Sequence, residues 1–203
     1  MDVNTVAAVA AVLLLASTAR GAAASKTIPS FAGPYVIYIK RLLPCSDNDT
    51  VWRQYYGNMR FSHYNPGKPH DAQIVTGTFT VPVDVDDTFW IGAKVDKRAN
   101  NQWKKNYFVF NNFPVGFCST MRANIPEPFA KVFGSKSMTG RCSVRKGSYT
   151  VDHEPIHWNL PNFPTLPYGN YFVKIKGEQR GAGNASLPKL FELCGECETV
   201  PKP

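Results

Sequence analysis

The segment from 74 to 81 reads Ile74-Val75-Thr76-Gly77-Thr78-Phe79-Thr80-Val81, and its side chains alternate between apolar and polar. A period of two residues is typical of a β-strand with one buried face, because successive side chains point to opposite sides of the pleated backbone. Val75, Phe79 and Val81 share one face, and the three threonines share the other. The segment therefore predicts a strand that packs against a core on one side only.

Similar short runs recur along the chain and are separated by stretches rich in turn residues. The further candidate strands are residues 35–39, 89–95, 107–110, 149–151 and 171–176. Within them, Lys94, Lys174 and Lys176 fall on the face opposite to the apolar side chains. Many short strands between turns are typical of an all-β sandwich or barrel. The sequence thus predicts a mostly β fold.

One region departs from this rhythm and predicts a short helix. In residues 128–133, Phe129, Val132 and Phe133 recur at helical spacing, and Pro128 suits a first helical turn. The 16 prolines and 15 glycines are spread along the chain, so no linker separates two domains. We therefore expect one domain over residues 25–203.

The N-terminal residues have the features of a secretory signal peptide over residues 1–24. An apolar run over residues 6–16 is followed by the small residues Ala22, Ala23 and Ala24, although the segment before the run carries Asp2 and no basic residue. The run is too short to span a bilayer as a mature helix. We expect a mature protein that is secreted, extracellular and soluble.

The charge balance indicates which classes of partner the protein is suited to bind. The chain carries a net charge of +8, and 13% of its residues are aromatic, which argues against disorder. A basic surface favours acidic partners, and a secretory address makes nucleic acid the least expected of them. Two groups of basic residues are either solvated faces or a rim that attracts anionic head groups: Lys94, Lys97, Arg98, Lys104 and Lys105 around a predicted hairpin, and Arg141, Arg145 and Lys146 beside Cys142.

The five cysteines predict disulfides in an oxidising compartment. Cys118 and Cys142 form one natural pair, and either Cys194 or Cys197 bridges back to Cys45, which leaves one thiol free or paired with another chain. Asn48 and Asn184 begin Asn-x-Thr and Asn-x-Ser sequons, so we expect N-glycans at both.

Two motifs suggest chemistry that their context does not favour. His153-Glu154-Pro155-Ile156-His157 matches the zinc-protease pattern, which needs a helix, yet Pro155 breaks a helix and a strand precedes it. Cys194-Gly195-Glu196-Cys197 lacks both the alternating strand–helix pattern of redox proteins and a second such motif. No nucleophile elbow, phosphate loop or paired-carboxylate signature is present. We therefore expect a protein that is not an enzyme, with no metal and no cofactor.

The layout of residues 106–176 resembles a known family. It combines Gly116-Phe117-Cys118, the short Pro/Phe segment, Cys142 followed by Lys146-Gly147-Ser148-Tyr149, and Leu166-Pro167-Tyr168-Gly169-Asn170-Tyr171. This order is similar to the ganglioside activator-like branch of the ML-type lipid-recognition superfamily, with arthropod chemosensory proteins of the CheB group as related members. The resemblance implies an immunoglobulin-like β-sandwich or β-cup around an acyl chain. It also implies one disulfide from Cys45 to Cys194 or Cys197 and another from Cys118 to Cys142. Of the two alternatives for Cys45, we expect Cys194 to be the partner.

We therefore expect a secreted, non-enzymatic carrier or presenter of a lipid or other apolar ligand, or a chemosensory accessory protein. An anionic membrane surface or a receptor is a further candidate partner. The candidate lining residues share a large apolar side chain on a predicted strand or helix: Phe79, Phe89, Ile91, Phe108, Phe110, Phe129 and Phe133. The alternative is an extracellular protein-interaction module in which the same side chains fill an ordinary core.

Overall fold

A computed structural model describes residues 31–46, 56, 58–111, 113, 115–134, 138–179 and 189–202. Residues 31–203 form one compact unit. The predicted signal peptide over residues 1–24 and the predicted glycosylation sites Asn48 and Asn184 lie outside the described residues.

The fold is mostly β, as the alternating segments predict. The described strands are β1 (Ala32–Gly33), β2 (Tyr35–Leu43), β3 (Arg60–Phe61), β4 (Gln73–Val81), β5 (Val85–Asp86), β6 (Phe89–Ala99), β7 (Gln102–Phe110), β8 (Ser143–Val144), β9 (Gly147–Ile156), β10 (Leu166–Pro167), β11 (Gly169–Gln179) and β12 (Lys189–Pro201). The described helices are α1 (Phe117–Asn124) and α2 (Pro126–Phe133).

The strands form two main antiparallel sheets. The larger sheet has five strands in the order β2-β12-β11-β6-β7, and the smaller has three in the order β3-β4-β9. Two short pairs, β1-β10 and β5-β8, complete the described part. This arrangement is compatible with a β-sandwich.

The register of the five-stranded sheet separates its two faces. Side chains directly opposite each other in an antiparallel pair lie on the same face. Val173 of β11 pairs with Val95 of β6, and the next residues, Lys174 and Lys94, pair on the other face. The apolar face, which we call the inner face, carries Ile37, Ile39, Phe89, Ile91, Val95, Phe108, Phe110, Tyr171, Val173, Ile175 and Leu193.

The opposite, outer face of this sheet carries ion pairs. Lys40 of β2 lies 2.7 Å from Glu198 of β12, and Lys174 of β11 lies 3.1 Å from Glu192 of β12. These side chains are partly exposed, so each pair contributes no more than about 1 kcal/mol to stability. Charge on this face and apolar residues on the other orient the sheet with its inner face toward the rest of the domain.

The two helices pack between the sheets at one end. Phe89 of the inner face is buried with Cys118 of α1 and Phe129 of α2, and the Cys118–Cys142 disulfide lies in the same cluster. On its other side, α2 places Val132 against the buried core of the three-stranded sheet around Val75. The predicted helix is therefore present, although it begins at Pro126 rather than Pro128, and α1 was not predicted.

A single glutamine joins the central strand of the smaller sheet to an edge strand of the larger one. Gln73, the first residue of β4, accepts a 3.1 Å hydrogen bond from the Ile39 N–H and donates a 2.7 Å bond to the Ile39 carbonyl. Its amide also donates to the Ser62 carbonyl at 2.7 Å and accepts from the Trp158 indole at 2.8 Å. Ile39 lies on β2, an edge strand, so Gln73 satisfies backbone groups that no neighbouring strand pairs.

Candidate functional site

The middle of the inner face is incompletely covered. Val173 and Ile175 lie on β11, the central strand of the five-stranded sheet, yet both are only half-buried. Leu193 and Val95, which flank them on β12 and β6, are half-buried as well. Inward side chains of a central strand are normally fully buried in a packed sandwich. The inner face thus presents apolar surface that the described residues leave partly open.

Aromatic side chains line one side of this open surface. The Phe108 ring lies 6.3 Å from that of Phe110 and 6.5 Å from that of Tyr171. The Phe110 ring in turn lies 5.8 Å from both Phe113 and Phe163. Rings at these separations form favourable aromatic pairs, so they hold each other in place as a preformed wall.

Phe163 connects the two edges of the five-stranded sheet. Its carbonyl accepts a 2.7 Å hydrogen bond from the Tyr35 hydroxyl on β2, and its ring packs on Phe110 of β7. Because β2 and β7 are the two outermost strands, the residue that contacts both lies over the inner face. The segment that carries Phe163 therefore crosses this face and limits the open surface.

Two lysines lie close together at one end of the inner face. Lys97 of β6 and Lys104 of β7 are directly opposite each other, hence on the same face. The Lys97 ammonium lies 5.2 Å from the Tyr107 ring centre and 5.8 Å from that of Tyr171. Burial and the charge of Lys104 lower the pKa of Lys97. Within the described part of the chain, no carboxylate pairs with either lysine.

Three of the other basic residues identified in the sequence, Lys105, Arg141 and Arg145, have acidic partners. Arg145 lies 2.8 Å from Asp84, and the hydrogen bonds of the Lys146 N–H and the Arg145 side chain hold the pKa of Asp84 below its ordinary value. Lys105 lies 3.0 Å from Asp96. Lys97 and Lys104 differ from these three residues, because they lie directly opposite each other and have no such partner among the described residues.

The seven predicted lining residues fall into different environments. Ile91, Phe108 and Phe110 lie on the inner face, where Ile91 is buried and the two phenylalanines are half-buried. Phe89 and Phe129 are 8% and 2% exposed within the cluster around the helices. Phe79 and Phe133 pack together with Tyr149, with ring centres 5.0–5.8 Å apart. The structure thus brings two of the seven, Phe108 and Phe110, together at the open surface, and the ligand role of each of the seven stays a prediction.

The sequence patterns did not predict β12, so two residues of the inner face on that strand were not identified. Leu193 and Cys197 reach the inner face from that strand, which is 13 residues long. Its signal is the placement of Glu192, Glu196 and Glu198 at even positions, which is the period-two pattern of a strand with one exposed face. The Gly and Cys residues between them obscure the apolar half of that pattern.

The cysteines pair as one of the predicted alternatives. Disulfides join Cys45 to Cys194 and Cys118 to Cys142, and Cys197 remains a free thiol. Cys197 lies opposite Tyr171 and Ile39 on the inner face. Burial raises the pKa of this thiol to about 12, which makes it a weak nucleophile.

The residues of the zinc-protease pattern are not helical, as predicted. His153 to Ile156 lie in β9, and His153 has a positive φ of 49°. The His153 ring contacts Asp152 at 2.8 Å, whereas the His157 ring contacts Glu127 of α2 at 3.3 Å. Among the described residues, no group of three or more His, Cys, Asp or Glu side chains is arranged to hold a metal ion.

Two cavities are lined mainly by residues outside the inner face, although Phe110 contributes to the first and Ile39 to the second. One, of about 300 Å³, is on the outer face beside Gly92, Lys94, Lys174 and Lys176. The other, of about 440 Å³, lies between the outer face near Lys40 and the residues that follow β3, Ser62 to Tyr64. Charged side chains line both, so neither is suited to an acyl chain.

In comparisons with known proteins, the chain matches no protein-family model and no curated protein. Over the residues that the structure describes, none of the helices has the length and apolar character needed to cross a membrane.

Proposed function

We propose that this protein is a secreted, non-enzymatic binding protein for a lipid or another apolar ligand, and that the ligand lies on the inner face of the five-stranded sheet. The observation that carries the proposal is the half-buried state of Val173 and Ile175 on the central strand. A ligand that covers an apolar surface in the middle of a domain gains a large free energy of binding from the apolar area that it removes from water.

The size of this gain favours an alkyl chain. Each methylene group that a ligand buries contributes about 0.8 kcal/mol, so a chain of 12 carbons that is half-buried gains about 5 kcal/mol. The aromatic wall of Phe108 and Phe110 is already packed, and binding therefore requires little further ordering of side chains. A preformed apolar face with an open centre supports binding of a flexible, apolar ligand.

The paired lysines support an acidic head group or an anionic membrane surface as the polar partner. Lys97 and Lys104 place two like charges opposite each other, an arrangement that costs energy until an anion approaches. A lipid whose chain covers Ile175 and whose head group reaches Lys97 satisfies both ends of the inner face. The order of these residues along the sheet thus matches an amphipathic ligand.

The secreted location in this proposal rests on the sequence of residues 1–24 and is supported by the two disulfides, since such bonds persist in oxidising compartments. The resemblance to the ganglioside activator-like proteins supports the same class of function. That resemblance implies a β-cup whose two sheets part to hold an acyl chain.

The direct test measures uptake of N-phenyl-1-naphthylamine, a neutral dye that fluoresces in apolar sites, by the disulfide-bonded protein. We expect saturable binding, and we expect dodecyl phosphate to displace the dye. Val173→Phe fills the open centre and should weaken dye binding at least tenfold. The matched control is Val109→Ala on β7, because Val109 lies on the outer face and is 44% exposed.

Absence of saturable uptake by the wild-type protein would refute the proposal. Equal binding by the wild type and Val173→Phe would instead place the dye elsewhere. No uptake combined with an unaltered fold would favour the alternative function, an extracellular interaction module with a filled core.

A further inference from the structure

The larger cavity, of about 440 Å³, is lined mainly by residues outside the inner face and has a different chemistry. We call it the edge pocket, because it lies beside β2, an edge strand of the five-stranded sheet. Its walls come from the outer face near Lys40 and Arg41 and from residues Ser62 to Tyr64. Its volume falls within the range of about 300–1,000 Å³ that small-molecule sites occupy.

The charges around the edge pocket are balanced. Lys40 lies 2.7 Å from Glu198, and Arg41 binds Glu196 through two hydrogen bonds, from Nε at 3.1 Å and from a terminal nitrogen at 3.2 Å. Two cations therefore face two carboxylates. A charged ligand would have to compete with one member of an existing pair, whereas a neutral ligand can accept or donate hydrogen bonds without separating them.

An aromatic platform stands on the other side of the pocket. The Tyr64 ring packs on the Tyr38 ring with centres 4.3 Å apart. Tyr38 is itself 5% exposed and donates a 2.7 Å hydrogen bond to the Pro69 carbonyl, so the lower ring is fixed. Tyr64 is half-buried and thus combines an apolar ring with access to the pocket.

Hydrogen-bonding groups around the Tyr64 ring are available to a ligand. In the described part of the structure, the Tyr64 hydroxyl and the His63 ring have no hydrogen-bond partner. The Ser62 hydroxyl accepts a 3.0 Å bond from the Ile74 N–H and retains its own hydrogen as a donor. These three groups follow one another in the chain, and a ligand in the pocket can bond to several of them at once.

We propose that the edge pocket binds a neutral sugar residue of a glycan. A pyranose ring has an apolar C–H face that packs on an aromatic ring, and its hydroxyls both donate and accept hydrogen bonds. Tyr64 supplies the ring, and the unused groups of Ser62 and His63 supply polar partners. The balanced pairs of Lys40 and Arg41 favour an uncharged sugar over an acidic or a basic one. This site is independent of the ligand proposed for the inner face.

The test uses the methyl glycosides of galactose, mannose and N-acetylglucosamine, with methyl glucuronide and glucosamine as charged counterparts. Binding is followed by the amide chemical shifts of the ¹⁵N-labelled full-length protein. We expect at least one neutral glycoside to bind with a Kd of about 1–10 mM, and to shift the amides of Ser62, His63 and Arg41. The charged sugars should bind more weakly.

Two variants assign the binding to Tyr64. Tyr64→Ala removes the aromatic ring and should weaken binding of the neutral sugar at least tenfold. Tyr64→Phe removes the hydroxyl alone and should weaken binding less. Tyr107→Ala is the matched control, because it removes a partly exposed tyrosine that lies outside the pocket. The proposal is overturned if no neutral glycoside shifts these amides, if a charged sugar binds more tightly, or if Tyr64→Ala binds like the wild type. Dye uptake at the inner face is measured separately and does not bear on this outcome.

Discussion

Gln73 offers a quantitative test of how the two main sheets are held together. Gln73→Leu keeps the approximate volume of the side chain and removes four hydrogen bonds, to the N–H and carbonyl of Ile39, the carbonyl of Ser62 and the indole of Trp158. Gln73 is 4% exposed, so water does not readily replace its amide. Each lost bond costs about 1 kcal/mol. The added apolar surface of leucine offsets about 1 kcal/mol of this total.

We therefore expect Gln73→Leu to lower the free energy of unfolding by about 3 kcal/mol, a large fraction of the stability of a domain of this size. The measurement is guanidinium unfolding of the disulfide-bonded protein, followed by circular dichroism. Gln102→Leu is the matched control, because Gln102 is exposed at the start of β7. A loss below about 1 kcal/mol would show that these bonds do not stabilise the contact between β4 and β2.

Gln73→Glu separates the roles of donor and acceptor at the same position. The carboxylate retains acceptor oxygens for Ile39 N–H and Trp158, but it places an oxygen where the amide nitrogen donates to the carbonyls of Ile39 and Ser62. We expect this variant to be less stable than Gln73→Leu at neutral pH and to recover stability as the pH falls and the carboxyl is protonated. A pH-independent loss would contradict the assigned orientation of the amide.

Three further predictions concern the thiol, the acid response and the helices. At pH 8 the native Cys197 thiol should react at least tenfold more slowly with Ellman's reagent than in the unfolded chain, because burial raises its pKa from 9.0 to about 12 and only the thiolate reacts. Fast reaction of the folded protein would contradict its burial. Burial raises the pKa of Glu127, yet hydrogen bonds from His157 and the charge of Lys131 outweigh this effect and hold it below the ordinary 4.5. The stability that Glu127 contributes is thus complete above about pH 4.5 and is lost as the pH falls through the lowered pKa. Glu127→Gln should therefore reduce the loss of stability at acid pH in a profile of unfolding free energy against pH. An unchanged profile would count against a stabilising contact between Glu127 and His157. Replacing both Cys118 and Cys142 by alanine should lower the free energy of unfolding by about 3 kcal/mol, since the bridge spans 24 residues of sequence. A thermal or denaturant titration measures this change. An unchanged midpoint would show that packing around Phe129 stabilises this region without the disulfide.

The sequence predicted the strands whose two faces differ in polarity. The alternation around Phe79 and Val173 corresponds to β4 and β11, and Lys94, Lys174 and Lys176 lie on the outer face as expected. Such predictions succeed because side-chain direction in a strand follows from the local backbone alone. The same reasoning overlooked α1, whose eight residues carry weak helical periodicity and are held by the Cys118 disulfide and by neighbouring elements.

The sequence by itself determined the mostly β class, the apolar and charged faces of the main strands, and the set of cysteines from which the two bridges come. Only the tertiary structure decided that Cys45 bonds to Cys194, that Lys97 lies opposite Lys104, and that Phe163 crosses the inner face. Likewise, it brings Tyr64 onto Tyr38 from a segment 26 residues away. The physical reason is that periodicity reports the direction of each side chain, whereas the register of distant strands selects which side chains meet.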